Sequence, residues 1–479
     1  MRRLAAALAL LAACSGGDRP VLQPFIEVPP EGSDAYPYTG LDELVLEIAD
    51  AGRDQGRLET FAIDEPLELT DIDYGEDQVV HLTGRTRGVE VAYGRTCAID
   101  VLDDAAVEQT PHLYFSRMVK WGEGADPGAV EDATTLAYSP PDGSGVFVGE
   151  GRVTRFDPVT GTFGNVEIDS IAARDGGILA AVPDGRAVLV GGTAGGDGVP
   201  LVEAIDPNTE PVSASRLEAQ PGPRLVDHAA VTLVDGTVLV AGGRLQDDLG
   251  AFAVTRAAWL VQFGDGNTLD EPLQLGTETV VGRSGHTMTR LGDDVGAAVV
   301  VVGGRDADGL PIATTELYRP LSKVFEPVAT AVLTVPRWNH RAVRLPDGSV
   351  LIIGGRTIDG KGAEVAAVAV ERYDPVLGVF KDTGAVLSSI AAVEDMAVVP
   401  MPDGRVLLIG GRDARGRPVS TVLIARFDPT NGQVDLSVTD PLERRRAGHS
   451  AAILCDGTIL VVGGGAGSER YNTPSAGRR

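Results

Sequence analysis

The chain has 479 residues, 43% of them hydrophobic, with 61 glycines and 30 prolines. So many turn formers exclude a fold of long helices, and the length allows two domains built mostly of strand. The formal net charge of −27 opposes nucleic acid as a partner, because that affinity rests on Lys and Arg displacing counterions from phosphates.

Met1-Arg2-Arg3, the apolar run Leu4 to Leu11 and Leu11-Ala12-Ala13-Cys14 form a charged n-region, an h-region and a small-residue cleavage site ending in cysteine. This resembles the lipobox of bacterial lipoproteins. The resemblance implies cleavage before Cys14, lipidation of its thiol, and a protein held at an extracytoplasmic membrane face, with Ser15 compatible with the outer membrane. No later segment reaches the roughly 18 continuous apolar residues of a spanning helix, so the membrane is a partner through the lipid alone. Residues 15–40 are rich in Gly and Pro and read as a flexible tether. Residues 41–110 hold short alternating runs with turn signals between them, which suggests a small antiparallel β-sandwich. Ile72 to Gly84 weakly resembles the late strands of fibronectin-like or transthyretin-like domains.

From residue 111 onward a unit repeats. An apolar strand meets an Asp-Gly turn, a second apolar strand ends in a Gly pair, and a third strand ends near an aromatic-Asp-Pro segment. The turns are Asp142-Gly143, Asp184-Gly185, Asp235-Gly236, Asp347-Gly348, Asp403-Gly404 and Asp456-Gly457, and the expectation is type I′ hairpins. The Gly pairs are Gly191-Gly192, Gly242-Gly243, Gly303-Gly304, Gly354-Gly355, Gly410-Gly411 and Gly463-Gly464, with a degenerate copy at Gly149-Glu150. Spacings of roughly 50 to 60 residues mark a repeat architecture. These residues resemble kelch repeats, as in the central domain of galactose oxidase. The resemblance implies an all-β protein with a kelch-type β-propeller over 111–479, most simply of seven blades, with six or eight as the alternatives. The last copy lacks a fourth strand. The unassigned run His112 to Trp121 is expected to supply it and close the ring.

Of the 3 cysteines, Cys97 and Cys455 remain after Cys14. They are either a disulfide fixing the N-terminal module to the propeller or two buried thiols. His228, His286, His340 and His449 each begin an inner strand. Repetition points to packing, because an active site needs different residues in different roles. His81 and His112 have no partner evident from spacing. Copper radical oxidases of this fold need a Cys–Tyr crosslink with further Tyr and His ligands, which cannot be matched here residue by residue. No zinc, phosphate-loop or nucleophile-elbow motif occurs, and Asp306-Ala-Asp308-Gly309 reads as a hairpin tip rather than a calcium loop. No catalytic residue, metal or cofactor is expected.

Two repeated sets of arginines are the candidate ligand-binding residues: Arg244, Arg305, Arg356 and Arg412 after the Gly pairs, and Arg224, Arg283, Arg337 and Arg446 before the inner strands. Both fall on the face opposite the Asp-Gly turns, where guanidinium groups suit a carboxylate, an acidic peptide or a sugar acid. The alternative is pairing with acids such as Glu316 and Glu371. The function expected is a lipid-anchored binding or scaffolding module for a protein or carbohydrate ligand. The rival is a carbohydrate-active enzyme, oxidase or epimerase-like, with a site not evident in the sequence.

Overall fold

A computed structural model describes residues 22–50, 56–67, 75–101, 111–130, 135–149, 151–166, 171–207, 220–264, 268–465 and 467–472. Among the described residues, seven four-stranded antiparallel sheets follow one another along the chain. Their inner strands are Leu136–Tyr138, Ile178–Ala181, Ala229–Thr232, Thr287–Arg290, Arg341–Arg344, Ala397–Pro400 and Ser450–Ile453; we number blades 1 to 7 in that order. Each inner strand packs against the next, and that of blade 7 packs against that of blade 1, so the sheets form a closed circle. A separate apolar cluster fills each of the seven seams between neighbouring blades. This explains why second strands such as Val299–Val302 and Val350–Ile353 are uninterrupted apolar runs: they are buried throughout, with a blade on each side.

Blade 7 takes its fourth strand from far upstream. Trp121–Glu123 pairs antiparallel with Ser468–Tyr471, and the Trp121 and Tyr471 rings lie 4.8 Å apart. The expected closing segment, residues 112–121, is therefore corrected to 121–123. His112–Tyr114 instead pairs in parallel with Phe25–Glu27, and Ser116–Arg117 extends the N-terminal sheet. The run is cut in two by a turn in which Val119 takes φ 62°, a conformation that a β-branched residue does not announce in sequence. Equivalent aromatic pairs cross from third to fourth strand elsewhere: Phe156 with Phe163, Tyr318 with Phe325, Tyr373 with Phe380.

The N-terminal module also differs from expectation. Among the described residues it forms one six-stranded antiparallel sheet where a two-sheet sandwich was expected, and its other layer is the short parallel ribbon with the segment leading into it. Residues 22–40 belong to this body rather than to a tether. Leu22 is 2% and Ala35 0% exposed, and Leu22, Leu41, Leu46, Leu82, Leu113 and Phe115 share one core. Proline-rich backbone stays extended without internal hydrogen bonds, so it can lie over a sheet.

The module docks on the Asp-Gly-turn face at blades 7 and 1. Cys97 and Cys455 form a disulfide, with Cα atoms 5.1 Å apart. The Arg95 guanidinium donates to the Cys455 carbonyl at 2.7 Å. Arg470, 1% exposed, pairs with Asp456, reaches Glu27 at 3.4 Å, and lies over the Tyr114 ring at 4.2 Å. His112 contacts Glu27 and the Pro158 carbonyl, each at 3.1 Å.

The Asp-Gly turns are not type I′. Only their glycines take positive φ, between 77° and 92°, and the Gly185 N–H donates to the Val182 carbonyl while the Val182 N–H donates to that of Arg186. This is a type I turn closed by a left-handed glycine. Pro141, Pro183, Pro346 and Pro402 precede the aspartates, and proline's fixed φ suits the first central position of type I and forbids I′.

Candidate functional site

The opposite face is built from the segments entering each blade and the Gly pairs. In the pair, each glycine meets a different neighbour. A Cβ on Gly303 would fall 2.5 Å from the Arg337 carbonyl and 2.8 Å from His340 of the next blade, and one on Gly304 2.9 Å from the Ser284 carbonyl of its own entry segment. The first glycine thus makes room for the following blade's histidine. His449 approaches the Ile409 carbonyl at 3.0 Å, and His340 the Thr287 hydroxyl at 2.9 Å. Burial pushes His228 down to about 4 and His340 and His449 to about 3, and holds His286 well below the ordinary range. All four are neutral packing residues at neutral pH. In blade 6 Met396 takes the histidine's place against Gly354.

Of the arginines before the inner strands, Arg283, Arg337 and Arg446 are 0% exposed, which corrects their assignment to ligand binding. Their guanidinium groups pair with Glu316 at 2.5 Å, Glu371 at 2.8 Å and Glu469 at 2.5 Å on the third strand of the same blade. Each also donates to a Gly-pair carbonyl: Gly303, Gly354 and Gly463. The glutamates in turn accept backbone N–H groups of the entry segment, as Glu371 does from Thr334 at 2.7 Å and Val335 at 3.2 Å. A buried charge is tolerable only when it is both paired and hydrogen-bonded. Blade 2 holds a fourth such pair, Arg174 with Glu203, which the sequence reading missed because Gly177 stands where the following histidine would be. Arg224 is exposed and one residue out of step; Leu225 occupies the buried position. In blades 3 and 6 both partners are replaced together. Leu225 shares a core with Trp259, and Val393 with Leu423.

The arginines after the Gly pairs lie at the rim, already matched to acids. Arg244 Nε meets Asp227 at 2.9 Å, Arg356 Nε meets Glu394 at 2.6 Å, and Arg412 Nε meets Asp395 at 2.9 Å. Arg305 lies 3.9 Å from Asp227 and over the Trp338 ring at 5.8 Å. Their backbones are pinned as well: Arg305 and Ser284 exchange N–H···O bonds at 2.9 and 3.0 Å. Outside them stand hairpin tips of one design in blades 3 to 6. Asp247, Asp306, Asp359 and Asp413 each accept two backbone N–H groups through one carboxylate oxygen, so the Asp306 segment is a hairpin tip.

At the centre of this face a cavity of about 270 Å³ opens between residues of blades 1, 2, 5, 6 and 7, among them Thr135, Gly177, Arg341, Asp395 and His449. The first residues of the seven inner strands are Leu136, Ile178, Ala229, Thr287, Arg341, Ala397 and Ser450. Arg341 alone among them is charged. Its Nε donates to the Met396 carbonyl at 3.0 Å. Solvent reaches the side chain, yet enough protein surrounds it that desolvation lowers its pKa, opposed by Asp395 and Glu394.

The donor set does not fit a copper centre. Cys455 is tied to Cys97 on the opposite face, the repeated histidines are buried in separate seams, and among the described residues no three His, Cys, Asp or Glu side chains converge as metal ligands.

No family model matches the chain. It is 35% identical over 129 residues to Kelch-like protein 35 of Mus musculus, covering 27% of this chain and 20% of that one; it thus spans about a fifth of the curated relative it matches. Among solved structures it is similar to a fungal alcohol oxidase of the AA5 family in complex with copper, with TM-score 0.53 and 17% identity over 74% of this chain and 76% of that chain. It is also similar to YjhT, with TM-score 0.46 and 16% identity over 62% of this chain and 93% of that chain. The fold is all-β and of the kelch-type propeller class.

Proposed function

We propose that the chain is a binding or scaffolding propeller, held by a lipid on Cys14 at an extracytoplasmic membrane face, that engages a protein or carbohydrate ligand with the loops around its channel mouth. The carrying observation is the division of the two faces. The N-terminal module and its disulfide occupy the Asp-Gly-turn face at blades 7 and 1, whereas the Gly-pair face carries rim arginines, hairpin tips and the central cavity. Loops held on a rigid ring are suited to recognition. The repeated histidines and the buried arginines are consumed by packing, which favours this reading over a carbohydrate-active oxidase or epimerase. The Cys97–Cys455 pairing accords with an oxidising compartment.

Two experiments test this. The chain beginning at residue 15 is used for affinity capture and a glycan array, beside Arg305→Ala/Arg356→Ala. A ligand retained by the parent and lost by the variant supports the reading; a ligand bound equally by both removes the rim from it. Metabolic labelling with a palmitate analogue should mark the full chain and not Cys14→Ser, and unlabelled parent chain would sink the anchor.

A further inference from the structure

We infer that Arg341 is the anchor of a small-ligand site in the central cavity, and that its ligand is an organic carboxylate entering from the Gly-pair face. The inference rests on the proposed binding function and gives it a substrate class.

Three observations meet at this residue. First, the ring's repeat explains every arginine of the two sets except Arg224: three are sealed against glutamates and four are matched to acids at the rim. Arg341 stands outside both sets, at a position where the other six blades carry Leu, Ile, Ala, Thr, Ala and Ser. A charge that no repeat demands, at a spot where small or apolar residues suffice, calls for another reason. Secondly, the side chain is held. Its Nε is committed to the Met396 carbonyl at 3.0 Å, which fixes the plane of the guanidinium and leaves its two amino groups for a ligand. The nearest acids are engaged elsewhere, Asp395 with Arg412 and Glu394 with Arg356. Thirdly, the setting is a cavity rather than open surface. A volume of about 270 Å³ accommodates a ligand of sugar size or smaller, and partial desolvation strengthens a charge-assisted hydrogen bond there. Among the described lining residues the other charges are already paired, Arg174 with Glu203 and Asp395 with Arg412. Thr135 donates its hydroxyl to the Val462 carbonyl at 2.8 Å, and His449 is neutral.

A carboxylate matches this geometry because its two oxygens accept in parallel from the two amino groups of one guanidinium. A neutral sugar brings no countercharge to the guanidinium. The rim acids and the net charge of −27 disfavour polyanions, so a single carboxylate on a small body is the class the cavity selects.

The test is calorimetric titration of the disulfide-intact chain from residue 15 with acetate, L-lactate and D-glucuronate, with D-glucose as the neutral control. At least one acid should bind while glucose does not, and Arg341→Gln should weaken that binding at least tenfold with unchanged thermal unfolding. Arg341→Lys should restore it only in part, since an ammonium group cannot form the paired bonds. Arg319→Gln, at the exposed pair with Glu326 on the outer strands of blade 4, should bind as the parent does. The inference is overturned if none of the acids binds, or if Arg341→Gln binds equally well. A protein or glycan captured at the rim despite that outcome would leave the proposed function standing and remove only the carboxylate site.

Discussion

The buried Arg–Glu pairs can be challenged with the protein's own alternative. Arg337 donates to Glu371 at 2.8 Å and to the Val335, Gly354 and Ala369 carbonyls at 3.1, 3.1 and 2.8 Å. Arg337→Val leaves Glu371, 2% exposed, with only the Thr334 and Val335 N–H groups and no countercharge. Breaking one side of such a pair costs about 3–5 kcal/mol. Arg337→Val with Glu371→Leu copies blade 6, where Val393 and Leu423 pack together. It removes the stranded carboxylate and adds apolar contact, but leaves Thr334 and Val335 N–H groups and three carbonyls to find partners. Blade 6 has its own solutions, such as the Ala391 N–H donating to the Ser388 carbonyl at 3.1 Å, that blade 5 lacks. At about 1–3 kcal/mol for each group left unmatched, partly recovered by relaxation and apolar contact, the double variant should remain below the parent yet regain about 2 kcal/mol on the single. Urea denaturation of parent, both singles and the double, followed by far-UV circular dichroism and by Trp fluorescence, gives the coupling directly. A double variant no more stable than Arg337→Val alone would refute the idea that Glu371 is tolerated only because Arg337 answers it.

Gly303→Ala, whose Cβ would strike the Arg337 carbonyl and His340 at φ +64°, should cost more than about 2 kcal/mol. Gly362→Ala, at φ +80° with open space around it, should cost about 1 kcal/mol; equal losses in thermal unfolding would dismiss the steric account. The histidines predict acid sensitivity. Their folded values lie at about 3 to 4 against 6.5 for the ordinary group, so the unfolded chain takes up protons first. Their contribution is whole above pH 6.5 and falls as pH drops towards 4, by at most about 1.4 kcal/mol per unit for each histidine. His340→Met, copying Met396, should flatten the dependence of the melting temperature on pH between 6.5 and 4. An unchanged slope would show that these imidazoles are already protonated in the fold.

The repeated half of the molecule was legible because each motif does one geometric job in every blade. Gly pairs, Asp-Gly turns and apolar second strands follow from seams that must close at fixed intervals. What escaped were departures from the repeat. Arg174 lost its marker when Gly177 replaced the histidine, and Arg224 imitates the pattern while lying one residue off the position that Leu225 buries. Arg341 sits beside His340, and only alignment of the seven inner strands reveals it as unmatched. The N-terminal module was read least well. Its sheet draws on Ser116–Arg117 and its cover on residues 22–41, a pairing across the chain that no local period announces. Turn type failed for a simpler reason: Asp-Gly alone admits several hairpins, and the prolines before four of the six turns exclude type I′ there.

The strand exchange in blade 7 imposes an order on biogenesis. Trp121–Glu123 emerges from the ribosome early and finds Ser468–Tyr471 only when nearly the whole polypeptide has been made, and the half-cystine Cys97 must wait for a mate 358 residues away. Contacts so remote in sequence make for slow maturation. A stalled or prematurely terminated product would retain six paired sheets yet present raw edges on both sides of the gap, recognisable to proteases and prone to self-association.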